Sequence, residues 1–179
     1  MDPDDAPGFR TPSPAPQDRD RFARLALPNR PAYNEADVSD KPSRIRKLPL
    51  IDAATEANIR EAHQQRLESL LSLDRAVVRI VSALEATGQL DETLIVFTSD
   101  NGYMEGEHRV TDGKQLPYEP AIRVPLVVRG PGVSAHRVAR TLVSNVDLAA
   151  TILDVAGPAP ARRPVARPVA APANGALDA

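Results

Sequence analysis

The sequence predicts an α/β fold with helices flanking a sheet, an irregular proline-rich N-terminal arm and a disordered C-terminal tail. Three patterns lead to this class: an apolar stripe of helical period over residues 53–87, an apolar strand at 93–98, and a second strand and helix between residues 122 and 156. The 18 prolines of the 179-residue chain also cluster at its ends, with nine in residues 1–49 and five after Gly157.

The two ends of the chain are predicted to be irregular. Residues 1–52 have prolines too closely spaced for long helices, because each proline removes a backbone donor and restricts the residue before it. We expect an extended arm with a short helix over residues 18–25, either lying on the rest of the chain or flexible in solution. Residues 158–179 form a low-complexity Pro/Ala/Arg tail without periodicity, which predicts disorder.

Residues 53–157 are predicted to form the folded part. The helix over residues 53–87 has apolar residues at steps of three and four, with polar residues in its first half, which we therefore expect to be more exposed. The stripe consists of Leu67, Leu70, Leu71, Val77, Val78, Val81 and Leu84, and Gly88 follows as a helix-ending residue.

Two strands and a final helix follow. The continuous apolar run TLIVFT at 93–98 is typical of a strand buried on both faces of a parallel sheet. A second strand is predicted over residues 122–128, at an edge or bulge because it contains Pro125. Residues 144–156 are predicted to form a helix whose first residues, Ser144 and Asp147, fit a capping box.

Composition excludes several classes of function. A formal net charge of −2 with mixed signs gives no signature of nucleic-acid binding. The absence of cysteine excludes disulfides, cysteine nucleophiles and thiolate metal sites. No apolar run reaches the roughly 20 residues of a membrane span, and the acidic N-terminus is not a signal peptide, so the compartment is left open.

The most informative polar residues follow the 93–98 strand. Asp100 and Asn101 stand at its carboxyl end, where open α/β sheets bind ligands, and their oxygens suit Ca²⁺ or Mg²⁺. The alternative is that Asp-Asn-Gly is an ordinary turn. Lys114 favours a site, because an ammonium group beside a divalent cation can neutralise a sulfate or phosphate group. Its alternative is a solvated surface lysine.

Residues 95–132, IVFTSDNGYMEGEHRVTDGKQLPYEPAIRVPLVVRGPG, resemble the late conserved block of the sulfatase family. The helix segment SLDRAVVRIVSALEATGQLDET and the segment VSNVDLAATILDVAG are similar to the same family. Upstream, NEADVSDKPSRIRKLP resembles the branch that includes N-acetylglucosamine-6-sulfatase. The resemblance covers most of residues 31–157 and implies part of an alkaline-phosphatase/sulfatase-like sheet, the C-terminal part of a catalytic domain.

The resemblance also implies roles for individual residues. Asp100 and Asn101 match family calcium ligands, and Lys114 matches the lysine that contacts the substrate sulfate. His108 lies in the Gly-Glu-His segment near the pocket and is a weaker catalytic candidate. Tyr118 and Glu119 are expected to be structural. The implied reaction is calcium-assisted transfer of a sulfuryl group from a sulfate ester, such as that of a sulfated sugar, to a hydrated formylglycine.

The chain departs from the family at the nucleophile. Formylglycine is made within a Cys/Ser-x-Pro/Ala-x-Arg motif, and no such motif occurs here; Ser13 is followed by Ala15 but then by Gln17. The family's early Asp-Asp metal pair is also missing. We therefore expect an inactive chain that needs an N-terminal complement or self-associates. The alternatives are a non-catalytic fragment or interaction module, and a related metal-dependent phosphoester or phosphonate hydrolase.

Overall fold

The computed structural model describes residues 11–157, so the segment 158–179 predicted to be disordered lies outside the described residues. The helices are α1 (Ser43–Arg46), α2 (Ala53–Ala86), α3 (Glu119–Ile122) and α4 (Asn145–Ala156), and the strands are β1 (Ile95–Thr98) and β2 (Leu126–Arg129). The described residues divide into a first unit, residues 11–83 and 101–124, and a second unit, residues 84–100 and 125–157.

The burial along α2 is the reverse of the sequence prediction. The polar first half was expected to be more exposed, yet it supplies the buried residues of the helix: Ile59, Ala62, Gln64, Gln65 and Glu68. The apolar second half is the exposed one, with Leu70 at 51%, Val78 at 58% and Ile80 at 57%. The prediction was wrong because it assigned the apolar stripe to the core, whereas another segment of the chain covers the polar residues.

The N-terminal arm covers the polar half of α2. Gln64 Nε2 donates to the backbone carbonyl oxygen of Leu25 at 2.7 Å, and the amide of Phe22 donates to Glu68 Oε1 at 3.1 Å. Further along the helix, Ser69 Oγ donates to the carbonyl oxygen of Pro12 at 3.0 Å. An extended arm rich in proline exposes carbonyls that it cannot pair internally, and the polar side chains of the helix satisfy them.

Asp18 fixes the arm at its most buried polar point. Its carboxylate is 4% exposed and accepts hydrogen bonds from both terminal nitrogens of Arg75 and from Ser72 Oγ. The hydrogen bond from Arg75 holds the pKa of Asp18 below its ordinary value of 3.8, although burial opposes the shift. The helix predicted over residues 18–25 is instead a 3₁₀ turn at Pro16–Asp18 followed by turns.

A second contact, which we call the clasp, joins residues 30–36 of the arm to residues 105–110. The amide of His108 donates to the carbonyl oxygen of Ala32, and the amide of Asn34 donates to that of Gly106, at 2.8 and 2.9 Å. Glu107, which is 1% exposed, forms an ion pair with Arg30 and accepts the amide hydrogen of Glu105 at 2.7 Å. The clasp fixes the loop that leads to Lys114.

The second unit contains the sheet, which corrects two predictions. β1 and β2 pair antiparallel, with Phe97 opposite Val127, instead of lying in the expected parallel arrangement. A parallel connection needs a crossover of a dozen or more residues, usually a helix, and the only helix between the strands is the four-residue α3. The strand predicted over 122–128 begins after Pro125, because Ile122 ends α3 and proline donates no ladder hydrogen bond.

The helix at the end of the second unit agrees with its prediction. α4 begins at Asn145, and the Asp147 carboxylate accepts the amide hydrogen of Ser144 at 2.9 Å, which is the reciprocal bond of a capping box. Gly157 follows the helix with a φ of 89°, a conformation that favours glycine. Among the described helices, none combines the length and apolar character needed to cross a membrane.

The Asp18–Arg75 contact predicts a pH-dependent stability. Because folding lowers the pKa of Asp18, its contribution is present above pH 3.8 and is lost as the pH falls through the folded value. We expect Asp18→Asn to lower the melting temperature by several degrees at pH 7, and the difference from wild type to close below pH 3.8. The matched control is Asp20→Asn, at an exposed position whose φ of 60° suits asparagine. Equal melting curves for both variants at pH 7 would contradict the assignment.

The clasp predicts that Gly106 tolerates no side chain. A Cβ at Gly106, where φ is 110°, would lie 2.3 Å from Cε2 of the Tyr33 ring. We expect Gly106→Ala to destabilise the chain by roughly 3 kcal/mol or more in chemical denaturation. Gly88→Ala is the control, because φ there is 70° and nothing lies within 4 Å, so only the conformational cost of about 1–2 kcal/mol remains. A smaller loss for Gly106 than for Gly88 would rule out the clash.

Candidate functional site

The polar residues after β1 are divided between the two units. Asp100 is the last residue of its segment in the second unit, and Asn101 is the first of its segment in the first unit. Within the second unit, Asn145 Nδ2 donates to the carbonyl oxygens of Ser99 and Asp100 at 3.2 and 3.1 Å. The first residue of α4 therefore holds the backbone at the end of β1, a role that the sequence analysis missed.

Within the first unit, the structure brings Asn101 and Lys114 together. Lys114 Nζ donates to Asn101 Oδ1 at 3.0 Å. The backbone after Asn101 is fixed by hydrogen bonds from the amides of Gly102 and Tyr103 to residues 121 and 120, at 2.9 and 2.8 Å. Glycine is required at 102, because a Cβ there would lie 2.0 Å from the carbonyl oxygen of Pro120. Gly102 is thus needed for the close approach to Pro120 and does not serve only as a turn residue.

A second contact lies two residues further along the same pair of segments. Tyr103 Oη donates to Asp112 Oδ1 at 2.6 Å, and the amide of Met104 donates to the carbonyl oxygen of Gly113 at 2.8 Å. Residues 101–104 and 112–114 therefore run antiparallel. This pairing turns the chain back on itself, so that the side chains of Asn101 and Lys114 meet across the twelve residues that separate them.

Glu105 connects this loop to α2. Its two carboxylate oxygens accept hydrogen bonds from His63 Nδ1 at 2.9 Å and Arg66 Nη1 at 2.8 Å. Burial by itself would raise the pKa of Glu105, but His63 and Arg66 outweigh it and hold the pKa below the ordinary value. Arg66 also lies over the Tyr103 ring, 4.2 Å from its centre. The sequence analysis missed this cluster. The one local indication was that His63 and Arg66 lie three residues apart on a predicted helix and therefore on the same face.

His108 belongs to the clasp. Its Nδ1 lies 2.6 Å from Glu35 Oε2, and its ring packs on Tyr118 with centres 4.4 Å apart. His108 and Arg109 have φ values of 52° and 65°, which non-glycine residues rarely adopt. Arg109 donates to the carbonyl oxygens of three arm residues, Glu35, Ala36 and Leu48. These contacts keep the strained backbone in place.

The two remaining predicted residues lie at the start of α3. The carbonyl oxygen of Tyr118 accepts the amide hydrogens of Ala121 and Ile122 at 2.8 and 3.1 Å. Glu119 pairs with Arg123 at 3.0 Å, with both side chains exposed. Tyr118 and Glu119 therefore contact other groups of this chain.

The donor chemistry of Asp100 and Asn101 fits calcium, since a carboxylate and an amide oxygen are both hard ligands. Two side chains supply only part of the six to eight oxygens that Ca²⁺ takes. Over residues 11–157, the structure gathers no group of three or more His, Asp or Glu side chains that could hold a metal ion. These residues therefore fit part of a metal site.

The chain is similar to curated sulfatases along most of its length. It is 40% identical over 156 residues to an arylsulfatase of Volvox carteri, covering 83% of this chain and 24% of that protein. It is 39% identical over 145 residues to the human N-acetylglucosamine-6-sulfatase, covering 80% of this chain and 26% of the relative. The chain thus spans about a quarter of the length of the curated relatives it matches.

Solved structures identify the fold. The structure of BT4656 in complex with its substrate D-glucosamine-2-N,6-O-disulfate matches with a TM-score of 0.58 and 34% identity, over 69% of this chain and 26% of that one. The phosphonate monoester hydrolase of Silicibacter pomeroyi matches with a TM-score of 0.55 and 26% identity, over 92% and 31%. These neighbours place the chain in the alkaline-phosphatase-like fold. The sulfatase family model matches residues 9–158, and the chain therefore belongs to the sulfatase family.

Proposed function

We propose that this chain supplies part of the active site of a sulfate-ester hydrolase that acts on sulfated sugars. Lys114 contacts the sulfate group, and Asp100 and Asn101 contribute calcium ligands. Two of the matched proteins support the substrate class: one is named N-acetylglucosamine-6-sulfatase, and the other was solved with a sulfated glucosamine. Because the chain spans only part of these proteins, the substrate class is part of the proposal.

The observation that carries the proposal is the 3.0 Å contact between Lys114 Nζ and Asn101 Oδ1. A positive ammonium group beside an oxygen ligand suits the binding of a metal-coordinated oxyanion. The fixed backbone at Gly102 and the antiparallel pairing of residues 101–104 with 112–114 hold the two groups together. The lysine is therefore preorganised for an anion.

Bound calcium, with magnesium as the second choice, would neutralise negative charge on the sulfate group. The chain's own contribution is to orient the oxygens. Asn145 fixes the carbonyls of residues 99 and 100, and Gly102 fixes the backbone after Asn101. His108 is a weaker catalytic candidate, since the Glu35 carboxylate already orients its Nδ1.

The chain lacks the formylglycine motif, so we propose that it does not hydrolyse sulfate esters by itself. Exposed apolar side chains support a need for further polypeptide, either an N-terminal complement or a second copy. Leu70, Val78 and Ile80 are exposed on α2, and Phe97 and Val127 form an exposed cross-strand pair of the sheet. A non-catalytic interaction fragment is the alternative that the same surfaces allow.

A phosphonate or phosphoester substrate is the second candidate function. It is favoured by the similarity to a phosphonate monoester hydrolase, which covers 92% of this chain. Sulfate and phosphonate groups are both tetrahedral oxyanions, so the pair of Lys114 and Asn101 suits either. Comparing the binding of inorganic sulfate and methylphosphonate to the chain separates the two candidates.

The first test of the proposal is activity. We expect the purified chain, with calcium present, to hydrolyse 4-nitrophenyl sulfate no faster than the uncatalysed reaction, because it supplies no covalent nucleophile. Turnover that Lys114→Ala abolishes and Lys47→Ala leaves intact would contradict this expectation. Lys47 is the matched control, an exposed lysine of the same unit.

The second test is calcium affinity. Two side-chain ligands should give a dissociation constant no tighter than about millimolar, because ligand number and charge set the affinity. In calorimetry we expect Asp100→Asn to weaken binding further, and Asp91→Asn, an exposed carboxylate of the same unit, to leave it unchanged. Micromolar binding that Asp100→Asn removes would mean that the chain completes the site unaided.

A further inference from the structure

The first unit contains a cavity of about 460 Å³ next to the segment that carries Asn101. This volume lies within the range of roughly 300–1,000 Å³ typical of small-molecule sites. Its polar lining consists of Arg30, His63, Arg66, Tyr103 and Arg123, together with the carboxylates of Glu105 and Glu119. The function proposed above does not use this cavity.

One wall of the cavity is rigid. Glu105 already accepts a hydrogen bond on each oxygen, from His63 and Arg66, and Arg66 is stacked on the Tyr103 ring. Side chains with several fixed partners lose little freedom when they meet a ligand. This wall is therefore preorganised before a ligand arrives.

The cavity has more hydrogen-bond donors than acceptors. Each of its three guanidinium groups carries more N–H groups than the one or two oxygens it meets. Arg30 pairs with the buried Glu107, and Arg123 pairs with Glu119 in an exposed contact, 79% and 68% accessible, of a kind that contributes little stability. Both oxygens of Glu105 and one oxygen of Glu119 are engaged, so the spare N–H groups favour a ligand with acceptor oxygens, and three arginines against two glutamates in the lining favour an anion.

The position of the cavity relates it to the proposed sulfate contact. Tyr103, in its wall, pairs with Asp112 two residues along from the pair of Asn101 and Lys114. We propose that the cavity binds an anionic substituent, sulfate or carboxylate, of the sugar whose scissile sulfate lies at Lys114. This inference rests on the proposed function, and it assigns to Arg123 and Arg66 the recognition of substrate charge.

The test is an NMR titration of the ¹⁵N-labelled full chain with D-glucosamine-2-N,6-O-disulfate, glucuronate and uncharged N-acetylglucosamine. We expect the anionic sugars to shift the signals of His63 and Tyr103, and Arg123→Gln to weaken their binding about tenfold through loss of a charge-assisted hydrogen bond. Arg44→Gln is the matched control, because Arg44 is an exposed arginine of the same unit outside the cavity. The anionic sugar that binds with the higher affinity shows whether the cavity prefers a sulfate or a carboxylate substituent.

Three results would overturn the inference: equal affinity of Arg123→Gln and wild type, equal binding of N-acetylglucosamine, or no binding up to tens of millimolar. Lys114→Ala separates it from the proposed function. If signals shift at the cavity but not at Asn101 and Lys114, the cavity binds the anion and the sulfate contact proposed for Lys114 is wrong. If signals shift only at Asn101 and Lys114, and these shifts are lost in Lys114→Ala, the proposed function stands and the inference about the cavity is wrong.

Discussion

The buried carboxylate of Glu107 is the constraint on which the first unit depends. One of its oxygens pairs with Arg30 of the arm, and the other accepts the amide hydrogen of Glu105, so one side chain ties the arm to the loop. A carboxylate that is 1% exposed is costly unless its partners are in place. Arm and loop are thus expected to order together, because either without the other leaves this charge uncompensated.

The same constraint explains the strain next to it. His108 and Arg109 have positive φ values directly after Glu107, and such conformations cost free energy for residues with side chains. Arg109 offsets that cost with three bonds to arm carbonyls, and His108 with its contact to Glu35. The loop then turns back toward Lys114 along a path that residues 101–104 complete by pairing with 112–114.

The sequence was informative wherever a signal is local. The extents of α2 and α4, the cap at Ser144 and the position of Asp100 and Asn101 after a strand follow from spacing within a few residues. The contacts between arm and α2 join residues 39 to 57 positions apart, and no local pattern encodes them. The same holds for the cluster of Glu105, His63 and Arg66. Antiparallel pairing was missed because an apolar run specifies burial but not strand direction.

Polar and apolar residues have different tasks in this chain. The groups that position Asn101 and Lys114 are polar or glycine and are satisfied within the first unit. The exposed apolar residues of α2, such as Val78 and Ile80, take no part in those contacts. Covering them with further polypeptide would add hydrophobic stabilisation without altering the hydrogen bonds that hold Lys114. We therefore expect the anion recognition proposed for the first unit to be independent of whether these apolar residues are covered, and the two can be measured separately in this chain.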